Sequence, residues 1–394
     1  MLIGIVGKPS CGKSTMFKAL TLADVAIASY PFTTIKPNEG IAYIKIDCVD
    51  KEFNVQCNPR EGYCINHKRF VAVKMIDVAG LVPGAHEGKG LGLSFLDDLN
   101  QADVLIHVID AAGATNEKGE TVQAGTYDPA NDIKFLEHEL DYWYMNILKK
   151  GWDKLSRTAL AEKQNIVKVI AKQMSGLKVT EDDVKQAVSK LPENFAHWKE
   201  EHMLILSSEL RKMSKPMVIA ANKADLPEAE SNIARLKQQF PHLIIIPCSG
   251  DGELALREAA KKELIEYIPG ESSFTIKGQP SEQHKKVLTV IQETILNKWH
   301  STGVQQVLNT AVLDLLKYLA IFPGGMNKLS DQHGNVLPDC FLLPPNATAL
   351  DFANHIHTDL GKNFVKALDV KTKKVIGKDH KLQHRDVIEI VTKK

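Results

Sequence analysis

Gly7-Lys8-Pro9-Ser10-Cys11-Gly12-Lys13-Ser14 fits the pattern GxxxxGK(S/T) and decides the fold. An apolar run, Leu2–Val6, precedes this stretch, and the helical stretch Ser14–Leu22 follows it. A glycine-rich turn between a buried strand and a helix directs backbone N–H groups and the positive end of the helix toward phosphate oxygens. In such a loop Lys13 reaches the β- and γ-phosphates, and the Ser14 hydroxyl binds Mg²⁺. The residues predicted to contact a nucleotide here are Gly7, Lys8, Pro9, Ser10, Cys11, Gly12, Lys13, Ser14 and Thr15.

Further apolar runs predict buried strands separated by helices. They are Phe70–Ile76, Val104–Ile109, Met217–Ala221 and Ile244–Pro247. This alternation predicts an α/β fold with a doubly wound, mostly parallel sheet. The long gap between the second and third of these runs is helical in character, which predicts a domain inserted into the sheet domain.

The predicted division of the chain has four parts. Two helices, His284–His300 and Gly303–Leu319, are expected after the sheet pattern stops, and a compact end with short strands follows them. The parts are a sheet domain (1–127 and 213–270), a helical insertion (128–212), bridging helices (271–316) and a C-terminal domain (317–394).

Asp77-Val78-Ala79-Gly80 follows an apolar strand and predicts a second phosphate-binding element. The Asp77 carboxylate can hold Mg²⁺ through water, and the Gly80 N–H can approach a γ-phosphate because glycine has no side chain. Alone, the pattern is equally typical of a capping aspartate and a turn glycine. The glycine-rich loop 7–14 upstream, called the P-loop from here on, favours the nucleotide interpretation.

Asn222-Lys223-Ala224-Asp225 predicts a base-recognition loop at the end of a strand. The Asp225 carboxylate can accept N1–H and the exocyclic amine of guanine, a donor pair that adenine lacks. Asn222 is expected to brace the loop, and the Lys223 stem to lie on the base. Ser249-Gly250 follows the next strand, where backbone N–H groups can meet the guanine O6, although a plain turn explains this pair as well.

Composition limits the other functions of the chain. The 394 residues carry a net charge of +1, are 44% hydrophobic and include six cysteines. These values exclude a disulfide-rich scaffold and binding of nucleic acid through an overall positive charge. No apolar run approaches the length of a membrane span, and the first residues lack a basic leader. We expect a cytoplasmic protein without membrane contact, with a monomer favoured.

The four elements at 7–14, 77–80, 222–225 and 249–250, in this order, resemble the GTP-binding domain of small-GTPase-like proteins. Two loops, YPFTTIKPNEG (30–40) and DVAGLVPGAHEGKGLG (77–92), make the chain look like the Obg/YchF group of translation-associated GTPases. The resemblance implies that the second threonine of the first loop, Thr34, binds Mg²⁺ and senses the γ-phosphate, with Thr33 as the adjacent alternative. It implies a Mg²⁺-dependent hydrolase that converts GTP to GDP and phosphate, with Ser14, Thr34 and Asp77 at the metal.

The C-terminal segments 349–361 and 386–391 resemble a TGS domain, a small β-grasp module. That resemblance implies attachment to the ribosome or ribosomal RNA. Ten basic residues against four acidic ones in 362–394 suit contact with phosphates, although a solvated lysine face is as good an explanation. The alternative functions are an ATP hydrolase of the YchF type and an RNA-binding adaptor in which the nucleotide is structural.

Hydrolysis is expected to be slow. Leu81 stands where many GTPases carry a glutamine that orients the attacking water, and leucine cannot hydrogen-bond. His86 lies nearby in a glycine-rich loop and could substitute, although a solvent-facing loop histidine is the simpler interpretation. The residues predicted to take part in catalysis are Lys13, Thr34, Gly80 and His86.

Cys48, Cys57, Cys64 and His67 lie within 20 residues of one another. Thiolate and imidazole ligands suit tetrahedral zinc, but the spacings differ from those of CxxC knuckles. We therefore expect unrelated reduced thiols, with zinc as the alternative.

Overall fold

The computed structural model of the protein describes residues 1–21, 38–78 and 99–393. Its central element is a seven-stranded sheet in the order β2-β4-β1-β5-β6-β7, with β3 paired to β4. The strands are β1 (Leu2–Val6), β2 (Glu39–Asp47), β3 (Tyr63–Ile65), β4 (Lys68–Asp77), β5 (Val104–Asp110), β6 (Met217–Asn222) and β7 (Ile244–Pro247). The five neighbouring strands β4, β1, β5, β6 and β7 are parallel, and β2 and β3 add an antiparallel edge. The predicted mostly parallel sheet is confirmed.

Parallel strands need both faces covered, and the strand sequences are correspondingly apolar. All seven residues of β5, the strand between β1 and β6, are buried. The helices that flank the sheet in the described residues include α1 (Lys13–Thr21), α2 (Ala130–Lys149), α7 (Ala229–Gln239) and α8 (Gly250–Lys261). Because the parallel strands all point the same way, their carboxyl ends bring Val6, Asp77, Asp110 and Asn222 to one edge.

Five helices lie between β5 and β6 in the chain. They are α2 with α3 (Trp152–Ala161), α4 (Ile166–Gln173), α5 (Glu181–Val188) and α6 (Glu200–Ser214). They have a hydrophobic core of their own, in which the rings of Trp152 and Trp198 are stacked. The first helix also contributes Ile133 and Leu136 to the core beneath the sheet, so it belongs to both packing units.

The two helices expected after the sheet differ from the prediction. The first is α9 (Glu282–Ile291), a π-helical turn over 292–296 and the short α10 (Asn297–Trp299). The second begins at α11 (Val304–Asn309), continues as a π-helical turn and ends at Leu315, so the expected end at Leu319 is wrong. The reason is that Leu319 pairs with Leu343 in the next sheet. The second helix packs on the sheet core through Val304, Leu308 and Ala311, which makes it a layer of that domain.

The C-terminal region forms a five-stranded sheet in the order β11-β10-β14-β12-β13. Its first helix, α12 (Ala349–Ile356), packs through Phe352 against the sheet residues Ile321 and Ile388, and the short α13 (Thr358–Lys362) follows it. The strands are β10 (Leu319–Pro323), β11 (Phe341–Leu343), β12 (Phe364–Asp369), β13 (Lys374–Ile376) and β14 (Val387–Thr392). A separate two-stranded sheet joins β8 (Ile265–Tyr267) to β9 (Phe274–Ile276). In the described part of the chain, no helix has the length and apolarity to cross a bilayer.

The C-terminal sheet is docked on the segment between β2 and β4. Asn58 N–H donates to Val336 O (3.1 Å), and Arg60 N–H donates to Pro338 O (3.0 Å). Glu52 accepts from Lys371 at 2.7 Å and from Arg385. These contacts give the C-terminal domain a defined position against the first one.

Candidate nucleotide-binding site

The P-loop connects β1 to α1 through two residues in the left-handed region, Ser10 (φ 61°) and Gly12 (φ 93°). This geometry aims successive N–H groups at a common point, as in anion-binding nests. A Cβ at Gly12 would lie 2.1 Å from Asn222 Nδ2, and one at Gly7 would lie 2.5 Å from Val108 O. Both glycines are therefore required by close packing against neighbouring strand ends.

Lys13 and Asp77 form an ion pair at the mouth of the loop. Asp77 is the last residue of β4 and lies opposite Ile5 in register, beside the start of the P-loop. Ser14, in the first turn of α1, is exposed. A hydroxyl and a carboxylate at the positive end of a helix are the oxygen donors that Mg²⁺ prefers, so these residues fit a magnesium site.

Asn222 joins two loops that are far apart in the sequence. Its Nδ2 donates to Cys11 O, and its Oδ1 accepts from Gly250 N–H, both at 2.9 Å. The side chain is buried at the end of β6. The P-loop and the Ser249-Gly250 turn are therefore held in one arrangement by a single amide.

The base-recognition loop leaves Asp225 exposed to solvent while its neighbours are fixed. Ala224 N–H donates to Cys248 O at 2.9 Å. Lys223 Nζ lies 2.8 Å from Oδ2 of Asp110, a fully buried carboxylate. Sequence reasoning missed Asp110, although an aspartate that ends a buried strand at the same edge as Asn222 was a usable signal.

Ser249 has a structural role in addition to its predicted one. It is buried, and its Oγ accepts from Gly252 N–H at 3.2 Å as the N-cap of α8. Its own N–H donates to Thr302 O at 2.9 Å. Gly303, the residue after Thr302, has φ 75°, and a Cβ there would lie 1.8 Å from Pro247 O. Thr302 and Gly303 thus support the turn, and no local sequence pattern indicated them.

Two P-loop side chains are engaged away from any nucleotide. Lys8 is buried, with its Nζ 2.8 Å from Thr115 O, 2.9 Å from Asp132 Oδ2 and above the Tyr127 ring. Burial raises the pKa of Cys11 to about 11, so its thiol is neutral at physiological pH. In the described geometry, these residues offer a nucleotide their backbone rather than their side chains.

Thr34, Gly80 and His86 lie outside the described residues, as does Leu81. Their predicted roles in metal binding and catalysis stay predictions. Pro9 and Thr15 lie within the P-loop and the first turn of α1, as the sequence indicated.

The three cysteines between β2 and β4 lie together, contrary to the expectation of unrelated thiols. Sulfur atoms of Cys48, Cys57 and Cys64 and a carboxylate oxygen of Asp50 all lie within 4.8 Å of one another. His67, the fourth ligand considered from the sequence, instead contacts Asp50.

Family comparisons agree with this geometry. Residues 2–137 match the family described as 50S ribosome-binding GTPase, and 332–392 match the TGS domain. Residues 220–324 match the Obg-like GTPase YGR210-like, G4 motif-containing domain. A GTP-binding protein of Methanocaldococcus jannaschii is 49% identical over 392 residues, which are 99% of this chain and 99% of that protein. The chain belongs to the Obg/YchF family of P-loop GTPases.

Other members of the Obg/YchF family extend the comparison. The ribosome-binding ATPase YchF of Bacillus subtilis is 30% identical over 280 residues, 66% of this chain and 69% of that one. The crystal structure of a GTP-binding protein from Pyrococcus horikoshii OT3 covers 100% of both chains, with a TM-score of 0.78 and 40% identity. The P-loop GTPase domain and the C-terminal TGS domain predicted from the sequence are therefore confirmed.

Proposed function

We propose that this Obg/YchF-family chain is a Mg²⁺-dependent GTPase that works as a slow molecular switch in the cytoplasm, as a monomer. The observation that carries the proposal is the Asn222 amide. It fixes the P-loop against the turn at Gly250 while Asp225, three residues later, stays exposed at the same edge. Phosphate groups and a guanine base can therefore be held at one edge of the sheet.

Positioning and charge neutralisation supply the catalysis in this proposal. Lys13 exchanges its contact with Asp77 for phosphate oxygens, and the P-loop N–H groups bind the same phosphates. Mg²⁺, held by Ser14, Asp77 and Thr34, would neutralise charge that develops on the γ-phosphate. Leu81 cannot orient the attacking water, so unassisted hydrolysis is slow.

Nucleotide affinities test the base preference. Wild-type protein should bind GDP at least tenfold more tightly than ADP, because adenine lacks the N1–H and 2-amine donor pair that the Asp225 carboxylate accepts from guanine. In Asp225→Asn, GDP affinity should fall and xanthosine diphosphate affinity should rise, measured by isothermal titration calorimetry. Asp251→Asn, an exposed aspartate in the first turn of α8, is the control and should leave all three affinities unchanged. Equal or tighter binding of ADP by the wild type would reject the GTP assignment.

The second candidate function is ATP hydrolysis, because the similar protein of Bacillus subtilis is named an ATPase. The intact Asn-Lys-Ala-Asp motif at 222–225 favours guanine. Turnover separates the two proposals further, because a switch hydrolyses slowly until a partner completes its site. Fast unassisted ATP turnover would support the hydrolase.

We propose the ribosome or ribosomal RNA as the partner, with the TGS domain as the point of attachment. The family matched by residues 2–137 is described as ribosome-binding, and the similar YchF protein carries the same description. An RNA-binding adaptor with a structural nucleotide is the third candidate. RNA affinity that is equal with GDP and with a non-hydrolysable GTP analogue would favour the adaptor.

A further inference from the structure

Four donor groups converge in the segment between β2 and β4. The Cys48 and Cys57 sulfurs are 3.5 Å apart, and Cys64 Sγ is 3.9 Å from Asp50 Oδ2. A tetrahedral zinc ion with bonds of about 2.3 Å to sulfur separates its ligand sulfurs by about 3.8 Å. The observed separations therefore match the edges of a zinc tetrahedron with three sulfur corners and one oxygen corner.

A disulfide explains this cluster less well. Bonded sulfur atoms are about 2.05 Å apart, which is much shorter than the Cys48–Cys57 separation. All six cysteines of the chain are free thiols in the structure. Three thiols around one carboxylate would also leave an unpaired thiol after any pairing, whereas a four-coordinate metal uses every member of the set.

The carboxylate of Asp50 is held in a fixed orientation. It is fully buried in the 3₁₀ helix Val49–Phe53, with Oδ1 2.9 Å from His67 Nδ1. Its Oδ2 accepts from Cys57 N–H at 3.1 Å, and Cys48 N–H donates to His67 O at 2.8 Å. Partners of this kind orient the ligands of zinc sites in proteins. His67 is thus a positioning residue for Asp50.

The charge of Arg69 gives an independent indication of bound anionic ligands. Its side chain is 1% exposed, and its Nη1 lies 3.7 Å from Cys57 Sγ. Its other partners are the carbonyls of Leu337 and Pro338, at 3.0 and 2.9 Å. No described carboxylate forms an ion pair with it. A buried guanidinium needs a counter-charge, and zinc with three thiolates and one carboxylate carries a net negative charge.

We propose that Cys48, Asp50, Cys57 and Cys64 bind one zinc ion. All four positions of the tetrahedron are filled by protein groups, so the site is structural. It lies where the TGS domain docks, because Asn58 and the residues that follow it contact Val336 and Pro338 directly. The metal therefore fixes the segment on which the TGS domain rests, independently of nucleotide binding.

Metal content of the full-length protein tests the proposal. Protein purified without chelators should contain about one zinc per chain by inductively coupled plasma mass spectrometry. Cys57→Ala should contain less than one zinc per ten chains, whereas Cys340→Ala, a free cysteine outside the donor set, should keep the wild-type content. Wild-type protein with less than one zinc per ten chains, or with another metal in its place, would overturn the proposal.

Cobalt substitution tests the ligands without relying on a variant that folds. Wild-type protein in which Co²⁺ replaces the metal should show the intense visible bands of a tetrahedral thiolate site and a sulfur-to-cobalt charge-transfer band. Octahedral cobalt spectra, or a Cys48–Cys57 disulfide in protein isolated without oxygen, would contradict the assignment. GDP affinity measured on the same samples is independent of this result, so failure of the zinc site and failure of the GTPase proposal are distinguishable.

Discussion

At the scale of single residues, the Asn222 side chain joins the P-loop to the Ser249-Gly250 turn. Its amide forms hydrogen bonds to Cys11 O and Gly250 N–H, backbone groups of two buried residues. Asn222→Ala leaves both without this partner, at a cost of about 1–3 kcal/mol for each group. We expect GDP affinity to fall by at least tenfold and the free energy of unfolding to fall by roughly 2–4 kcal/mol. Calorimetry and urea denaturation measure the two effects.

The matched control for this change is Asn232→Ala. Asn232 Nδ2 also donates to a backbone carbonyl, Ala111 O at 2.9 Å, but it lies in α7 away from the P-loop. The Asn232→Ala variant should be less stable than the wild type and should keep the wild-type GDP affinity. A wild-type GDP affinity in Asn222→Ala would show that the amide does not organise the site.

Residue identities in the P-loop and in Asn-Lys-Ala-Asp were predictable because their chemistry is encoded in a few contiguous positions. Thr302 was not, because it reaches the site from a segment distant in sequence. Asp110 was missed although its position at the end of an apolar strand was a usable signal. Asp50, a ligand in the proposed zinc site, was missed for a reason related to that for Thr302. The sequence spacing indicated His67 as the candidate fourth ligand. In the structure, the 3₁₀ helix Val49–Phe53 places the Asp50 carboxylate beside the sulfurs, and the His67 imidazole contacts Asp50 instead.

At the scale of elements, β5 carries a buried imidazole in the middle of the sheet. Burial lowers the pKa of His107 to about 3, and the nearby Lys8 charge lowers it further. The folded pKa is below the unfolded value of about 6.5, so the unfolded chain binds more protons between these values. Stability therefore falls as the pH drops through this window.

Replacing this imidazole should flatten the acid dependence of stability. Between pH 7 and pH 5, the wild type should lose about 2 kcal/mol more unfolding free energy than His107→Leu. His197→Leu changes an exposed imidazole and should keep the wild-type pH dependence. Urea denaturation at several pH values measures the difference. Parallel wild-type and His107→Leu curves would mean that the buried imidazole is not the acid-sensitive group.

The five parallel strands were predictable to within about two residues because buried parallel strands are apolar throughout. The antiparallel strands β2 and β3 were not predicted. The strands Leu2–Val6 and Ile244–Pro247 have the predicted bounds. The helix predicted over 303–319 ended too late, since the leucines before and after its end look alike in sequence. Whether Leu319 extends the helix or starts β10 depends on its pairing with β11, which is a tertiary contact.

At the scale of the whole molecule, five of the basic residues in the C-terminal segment fall into two groups. Lys371 and Arg385 pair with Glu52 and join the domains. Lys366, Lys373 and Lys374 are exposed on and beside β12 and β13, and within 1–21, 38–78 and 99–393 they form no ion pair. The first group explains part of the local positive charge by domain docking. The second group leaves three exposed lysines at the β12–β13 end of the TGS domain, with Lys366 and Lys374 on opposite faces of the strand pair, as candidate contacts for an RNA backbone.

Reversal of the charges of these three lysines tests the proposed partner. In the triple variant Lys366→Glu, Lys373→Glu and Lys374→Glu, affinity for ribosomal RNA should fall by at least tenfold. The slope of log affinity against log salt should become shallower by about 2–3, because each lost phosphate contact removes about 0.7–0.9. Fluorescence anisotropy across a KCl series measures both quantities.

The control variant reverses the charges of Lys154, Lys163 and Lys172, which are exposed in the helical insertion, and should leave the RNA affinity and its salt dependence unchanged. GDP affinity should be equal in all three proteins, because none of these lysines lies at the P-loop. Equal losses of RNA affinity in the two triple variants would show that general charge, rather than the lysines of the TGS domain, holds the RNA.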